Sequence, residues 1–187
     1  MTRTTLRTGL AALAIILFHA AASAQQPAPR FFVEGLAGVV VPTFDIADVA
    51  KAGGGFGTTI GYRVNPRWIL MGEFDYGSHK DKPTSSADIN TLHYMAKVGY
   101  SLTGPKERGW EAIINLGVGA VSFDVGGPTG SLTYPAINAG AKLAYNFNRS
   151  VALVLSPQGD IAFSKDSELT TNNAWVWPFT AGLRVGF

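Results

Sequence analysis

The chain has 187 residues; 47% are hydrophobic, only 15% are charged, 22 are Gly and none is Cys. Absence of Cys excludes disulfides and thiolate metal sites, and beyond residue 24 only His79 and His93 remain as imidazole ligands, too few for a closed zinc centre. The formal net charge of +2 comes from Arg3 and Arg7; without them acids and bases balance, so a nucleic-acid partner has no electrostatic support.

Residues 1–24 place Arg3 and Arg7 ahead of an apolar run from Leu10 to Ala22, followed by Ala22-Ser23-Ala24. This reads as a secretory signal peptide cleaved before Gln25. The run is shorter than the ~20 residues a membrane helix needs, and Gln25 in place of Cys argues against a lipid anchor. A Pro-containing tether, 25–29, leads into the rest. No second apolar run is long enough to span a membrane as a helix, and no amphipathic helix is apparent. A charge-poor, exported chain without helices points to a closed barrel, the other architecture that satisfies backbone groups in lipid.

Residues 30–187 form one domain, which turn signals divide into eight strand-like runs at 30–41, 54–64, 68–79, 90–102, 110–123, 136–147, 151–163 and 177–187. Most reach about ten residues, the length of a tilted membrane-spanning strand. Connections alternate in length. Asn65–Arg67, Thr103–Gly109 and Asn148–Ser150 are short, whereas Pro42–Gly53, Lys80–Asp88, Asp124–Pro135 and Ser164–Asn173 are longer and polar. Short turns belong on the periplasmic side and long loops outside, which puts both termini in the periplasm.

Period-two alternation phases the strands. In strand two, Phe56, Ile60, Tyr62 and Val64 oppose Gly57, Thr59, Gly61 and Arg63. In strand four, Leu92, Tyr94, Ala96, Val98, Tyr100 and Leu102 oppose Thr91, His93, Met95, Lys97, Gly99 and Ser101. In strand six, Ala139, Ala141, Leu143, Tyr145 and Phe147 oppose Asn138, Gly140, Lys142 and Asn146. The apolar face should meet lipid. Strand one is ambiguous, since Phe32, Leu36 and Val40 share a face with Glu34. Pro157 cannot donate a ladder bond and predicts a bulge or local irregularity in strand seven. Aromatics bracket the runs: Tyr62, Trp68, Tyr100, Trp110, Tyr145, Phe147 and Phe187 near the short turns, and Tyr76, Tyr134, Phe163, Trp175 and Trp177 near the long loops. Two interfacial girdles have this form. The competing reading is a soluble sandwich or lipocalin-like barrel with the aromatic face inward.

The last strand, Trp175-Val-Trp-Pro-Phe-Thr-Ala-Gly-Leu-Arg-Val-Gly-Phe187, keeps the alternation to its end. Its Thr180, Gly182, Val185 and Phe187 resemble the C-terminal signal of bacterial outer-membrane β-barrels, and the whole mature chain resembles the small eight-stranded barrels of the OmpA and OmpX kind. That resemblance implies an all-β, antiparallel up-and-down transmembrane barrel in a Gram-negative outer membrane. It also implies assembly through the barrel-assembly machinery, which reads the terminal motif.

Strand-borne charges fall on the polar face: Glu34, Arg63, Glu73, Asp75, Lys97, Glu111, Lys142, Asp160 and Arg184, four basic and five acidic. Near balance in a narrow lumen suggests mutual pairing, with Glu73 beside Lys97 and Glu34 near Arg184. A selectivity-lined pore and a paired-carboxylate active site are the alternatives. Lipid A-modifying barrels use His with Ser and a carboxylate, but here Ser78 and His79 are adjacent and point to opposite faces. His93, with Asp75 placed near it across the hairpin, lacks a nucleophile and oxyanion hole. Gly53–Gly57 lacks the Lys and helix of a phosphate loop, and Asn148-Arg-Ser150 reads as a tight turn. The expectation is therefore a monomeric, non-enzymatic barrel without cofactor, in contact with outer-membrane lipid and lipopolysaccharide. Its role is structural or surface interaction of the adhesion type through outer loops, the alternatives being a channel for small or apolar solutes and a lipid A-modifying enzyme.

Overall fold

The computed structural model describes residues 29–44, 47, 50–80, 89–124, 130–164 and 173–187. Residues 1–28, which hold the expected signal peptide and most of the expected tether, and much of the long connections lie outside them. Eight strands follow in order: β1 Phe31–Thr43, β2 Gly53–Arg63, β3 Trp68–His79, β4 Ile89–Ser101, β5 Gly109–Asp124, β6 Ser131–Asn146, β7 Val151–Ala162 and β8 Ala174–Gly186. Each pairs antiparallel with its neighbours, and β8 pairs with β1 to close the barrel. Closure matters because strands rich in Val, Ile and aromatics would otherwise present an unpaired edge.

Alternation sets the two faces. Ile60, Leu70, Tyr94, Val98, Leu116, Leu143, Phe179 and Leu183 are exposed on the outer wall, while Thr59, Glu73, Lys97, Lys142 and Arg184 are buried in the lumen. In β1 the phase is settled: Phe32, Glu34, Leu36 and Val40 all face inward and are buried. The sequence ambiguity has a physical source, because the interior is itself part apolar. Phe32 packs with Ile69, Met71 and Ile113, and Leu36 with Ala144, Ala152 and Val154. Towards the long connections, Val40, Met95, Val121, Phe123, Tyr134, Ala162 and Val176 belong to a third cluster.

Several boundaries differ from the sequence reading. β6 begins at Ser131 and not at 136, and β8 at Ala174 and not at 177. Pro135 suggested a loop, but it sits opposite Ala120 and its carbonyl accepts from the Phe163 N–H at 2.9 Å, so only its missing donor weakens the ladder. The Ser122 and Thr133 hydroxyls, 2.7 Å apart, and the Phe123 and Tyr134 rings, 6.2 Å apart, continue the pairing outward. The connection expected over Asp124–Pro135 is consequently reduced to 125–130 between two strands of 16 residues each. Tyr134 is corrected with it: in phase with Ala136 and Asn138 it turns inward, 6% exposed, and does not belong to the outer aromatic girdle.

Around Pro157 the ladder lapses without a bulge. β6–β7 pairing is lost between Gly140–Gln158 and Leu143–Leu155, and β7–β8 pairing between Pro157–Phe179 and Asp160–Val176, yet the register is the same on both sides of each gap. Pro157 and Pro178 both lack donors here. Trp177 covers the weak spot: a Cβ on Gly159 would come 2.9 Å from its indole, so Gly159 is what lets the ring lie flat on the backbone.

Paired aromatic rings ring the wall near the short turns, Phe31–Tyr62 at 4.6 Å, Trp68–Tyr100 at 5.0 Å and Trp110–Tyr145 at 5.1 Å between centroids. Such cross-strand pairs stabilise register and suit the membrane interface. Leu143, 42% exposed on the outer wall of β6, tests the wall's assignment. Leu143→Arg should cost about 2–4 kcal/mol if it sits near the bilayer midplane, measured by urea unfolding in phospholipid vesicles; no cost would mean that the wall does not face lipid.

Candidate functional site: the filled lumen

Polar residues on the inward phase of all eight strands meet in one chain of contacts. At the short-turn end, Arg63 of β2 grips Glu111 of β5, Nη1 to Oε1 at 3.0 Å and Nη2 to Oε2 at 3.1 Å, and the Ser101 hydroxyl of β4 donates to Glu111 at 2.7 Å. Arg184 of β8 lies 3.5 Å from the same carboxylate and donates through Nε to Glu34 of β1 at 2.8 Å. Its guanidinium also stacks 4.4 Å from the centroid of Phe32, joining the charged chain to an apolar cluster. The Phe32 ring in turn needs Gly61, where a Cβ would lie 2.0 Å from it.

Lys142 of β6 reaches the middle of the lumen. Its ammonium donates to Glu34 at 2.6 Å, to the Thr59 hydroxyl at 3.0 Å and to Glu73 of β3 at 2.9 Å, using all three donors. Lys97 of β4 donates to Glu73 and to the amide oxygen of Gln158 of β7. Gln158 donates back to Glu73 at 2.8 Å and to Ser156 at 3.0 Å, and Thr59 donates to Glu73 at 2.9 Å. Glu34 and Lys142 are 0% exposed. Charges so removed from water persist only when paired and hydrogen-bonded throughout, which is what these distances provide.

A second cluster lies apart from the chain. The His93 ring donates from Nδ1 to Asp160 at 2.7 Å, and the Asn138 amide donates to the other Asp160 oxygen at 2.6 Å. Asp75 is opposite His93 in the β3–β4 register, but the imidazole is committed to Asp160, a strand pair away across the lumen. Asp75 Oδ1, His93 Nε2 and Asn138 Oδ1 are buried without a hydrogen-bond partner among the described residues. Asp75 fits because Gly57 has no side chain; a Cβ there would lie 1.7 Å from Oδ1. His79 points inward from the end of β3 and donates to the Lys51 carbonyl at 3.0 Å, while Ser78 faces out.

All nine charged positions singled out in the sequence are thus buried in the lumen. Arg184 and Glu34 are direct register partners; Lys97 reaches Glu73 diagonally, since its own partner is Met71 and that of Glu73 is Met95. Thr59, Ser101 and Asn138 join the network from the inward phase already read for strands two, four and six, whereas Gln158 and Ser156 have no place in the sequence reading. Their signal was available in the alternation, as uncharged polar residues on the inward phase. The terminal motif residues lie at the closing seam. Thr180 is buried, and a Cβ on Gly182 would lie 1.8 Å from the Gly35 carbonyl oxygen of β1. Phe187 is exposed, and its N–H donates to the Phe31 carbonyl at 2.8 Å.

Chemically, the arrangement holds a narrow barrel's interior fixed. Among the described residues no cluster of three or more His, Asp or Glu is set to hold a metal. Among the described residues His93–Asp160 is the one bonded His–carboxylate pair, and no hydroxyl is hydrogen-bonded to either side chain.

An apolar, aromatic-belted wall around a buried ion-pair chain is the construction of a small transmembrane barrel of the bacterial outer membrane. The chain belongs to the Outer membrane protein beta-barrel domain family, which it matches over residues 10–187. Solved structures agree in fold. Neisserial surface protein A (NspA) is 20% identical with a TM-score of 0.61, the match covering 84% of this chain and 97% of that one. The N-terminal barrel domain of Pseudomonas aeruginosa OprF is 17% identical with a TM-score of 0.57, over 87% and 100%. Outer membrane protein OprG of the same organism is 15% identical with a TM-score of 0.59, over 86% and 96%. No curated protein sequence matches.

Removing one member of the chain and removing the unpaired acid should differ. Lys142→Met leaves Glu34 and Glu73 facing each other without their shared cation and should cost about 3–5 kcal/mol. Asp75→Asn keeps the size of a side chain whose Oδ1 has no partner among the described residues and should cost under about 1 kcal/mol or stabilise. Urea unfolding in vesicles measures both; equal losses would refute the assignment of separate roles.

Proposed function

We propose that this protein is a monomeric, non-conducting barrel that acts at the cell surface through its outer loops, in a membrane-integrity or adhesion-type role. The observation that carries the reading is the filled lumen: the mid-barrel side chains of Glu34, Lys142 and Ser156 are 0% exposed, which leaves no water column for a solute to follow. With the interior fixed, variation in function belongs to the loops. The name of one structural neighbour, a surface protein, is in keeping with that. In this reading the first 24 residues are a cleaved signal, residues 25–29 a periplasmic tether, and both termini and the short turns face the periplasm. Lipid and lipopolysaccharide surround the wall, and Thr180, Gly182, Val185 and Phe187 are the signal read by the assembly machinery.

The test is electrical and topological. Purified protein in a planar bilayer should show no stable, sizeable conductance, whereas Lys97→Glu, which sets an acid against Glu73, should destabilise the barrel or open a cation leak. A reproducible ohmic channel in the unmodified protein would move the reading to transport, and a change in lipid A mass on expression would move it to enzymology. An epitope inserted within residues 81–88 should be accessible on intact cells; an epitope that becomes accessible only after lysis would overturn the surface role.

The terminal motif has its own test. Deleting Phe187 should lower the amount of heat-modifiable, folded protein in the outer membrane while export past the inner membrane continues. Undiminished assembly would show that Phe187 is an ordinary wall residue.

A further inference from the structure

The outer wall is not evenly covered. A groove of about 430 Å³ runs over β2–β4, lined by Ile60, Leu70, Gly72, Ala96 and Val98. A second, of about 450 Å³, shares Ile60, Gly72 and Ala96 and extends between Phe74 and Tyr94. Gly72 and Ala96 are register partners and form the common floor. A Cβ on Gly72 would meet nothing within 4 Å. Glycine weakens a strand, and no neighbour among the described residues requires it here, which leaves open space on the outer wall. The double groove extends from the Phe31–Tyr62 ring pair at the short-turn end to the Phe74–Tyr94 pair, shallow and apolar.

Charge at the short-turn end narrows the occupant. Arg30, directly before Phe31, and Arg67, directly before Trp68, belong to the segments just beyond this end of the groove. The turns at that end carry Lys106, Arg108 and Arg149 besides, against Glu107 alone. We propose that the groove seats an acyl chain of an anionic phospholipid whose phosphate is met by Arg30 and Arg67. The inference rests on the orientation given under the proposed function, which makes the lipid one of the periplasmic leaflet. A second copy of the barrel fits less well, because two barrels sharing a membrane orientation bring the same basic turns together. Arg67 is already held in place, donating to the Ser101 carbonyl at 3.1 Å, so part of a fixed cationic site exists before lipid arrives. Packing, not the hydrophobic effect, distinguishes a seated chain from bulk lipid, and filling the groove removes that packing.

Native mass spectrometry of the detergent-solubilised protein, equilibrated with phosphatidylglycerol and phosphatidylcholine, tests this. The parent should retain one phosphatidylglycerol in preference to phosphatidylcholine. Gly72→Leu, or Ala96→Leu should the first not fold, should lower that retention about fivefold or more, while Ala139→Leu on the far wall leaves it unchanged. Arg30→Gln should remove the preference for the anionic headgroup. Equal retention in Gly72→Leu and parent, or no headgroup preference in the parent, would overturn the proposal; so would a parent dimer that Gly72→Leu dissolves, since the groove then holds a second copy. Orientation is judged separately: labelling of Lys106→Cys on intact cells by a membrane-impermeant thiol reagent would break the periplasmic assignment, whereas the lipid counts, made in detergent, do not depend on it.

Discussion

The structure depends on closure of the last strand against the first, because only closure lets the buried charges find one another. Glu34 and Arg184 are 150 residues apart in sequence and form a direct pair across the seam. Through Arg184 the chain runs to Glu111 and Arg63, and through Glu34 to Lys142, Glu73, Lys97 and Gln158, so every strand contributes a member. An open sheet of the same sequence would leave several of these groups unpaired in a medium that cannot solvate them, a penalty of several kcal/mol for each ion. Ion pairing and edge protection therefore reward the same event. Buried pairs of this sort add little net stability over apolar substitutes, but they discriminate strongly between the closed register and any slipped one.

Packing inside follows from the same constraint. Eight strands enclose little room beyond side chains, and the middle of this lumen fills it in alternating apolar and charged groups, leaving a cavity of about 360 Å³ at the short-turn mouth beside Phe32, Arg63, Glu111 and Arg184. Phe32, stacked under Arg184 and accommodated by Gly61, shows how the two kinds are fitted together. Towards the long connections Phe123, Tyr134, Val121 and Val176 close the interior with apolar bulk, supported by the two long strands β5 and β6.

Period two carried most of this information, since a strand's faces are a local property of sequence. The phases of strands two, four and six, the inward setting of all nine charges and the Glu34–Arg184 approach follow from it. What was illegible was of three kinds. Pro135 has the look of a loop, and only the opposing strand shows that its missing N–H is tolerated, which hid Tyr134 from the core. Pro157 was legible as a lesion but not its form, because the repair comes from Trp177 on the next strand. Contacts across the lumen, such as Lys142 bridging Glu34 and Glu73 or His93 choosing Asp160 over Asp75, are chords of the barrel that no strand's own pattern records.

The charges also divide by place, and the division bears on where selectivity can reside. The four lumen bases pair with Glu34, Glu73 and Glu111; Asp160 is bonded to His93, and Asp75 is left without an ion-pair partner among the described residues. The short turns are basic apart from Glu107, while the long connections carry Asp45, Asp48, Asp81, Asp88, Asp166 and Glu168 against four Lys. Where the interior is committed to its own pairs, as along the chain from Arg63 to Gln158, a ligand could enter only by breaking one, at a cost of several kcal/mol. The two ends bear opposite signs of charge and face different solvents, so they can take partners without disturbing the fold. On the proposed function, recognition is therefore a property of the rims and wall, and the lumen's part is to hold them still.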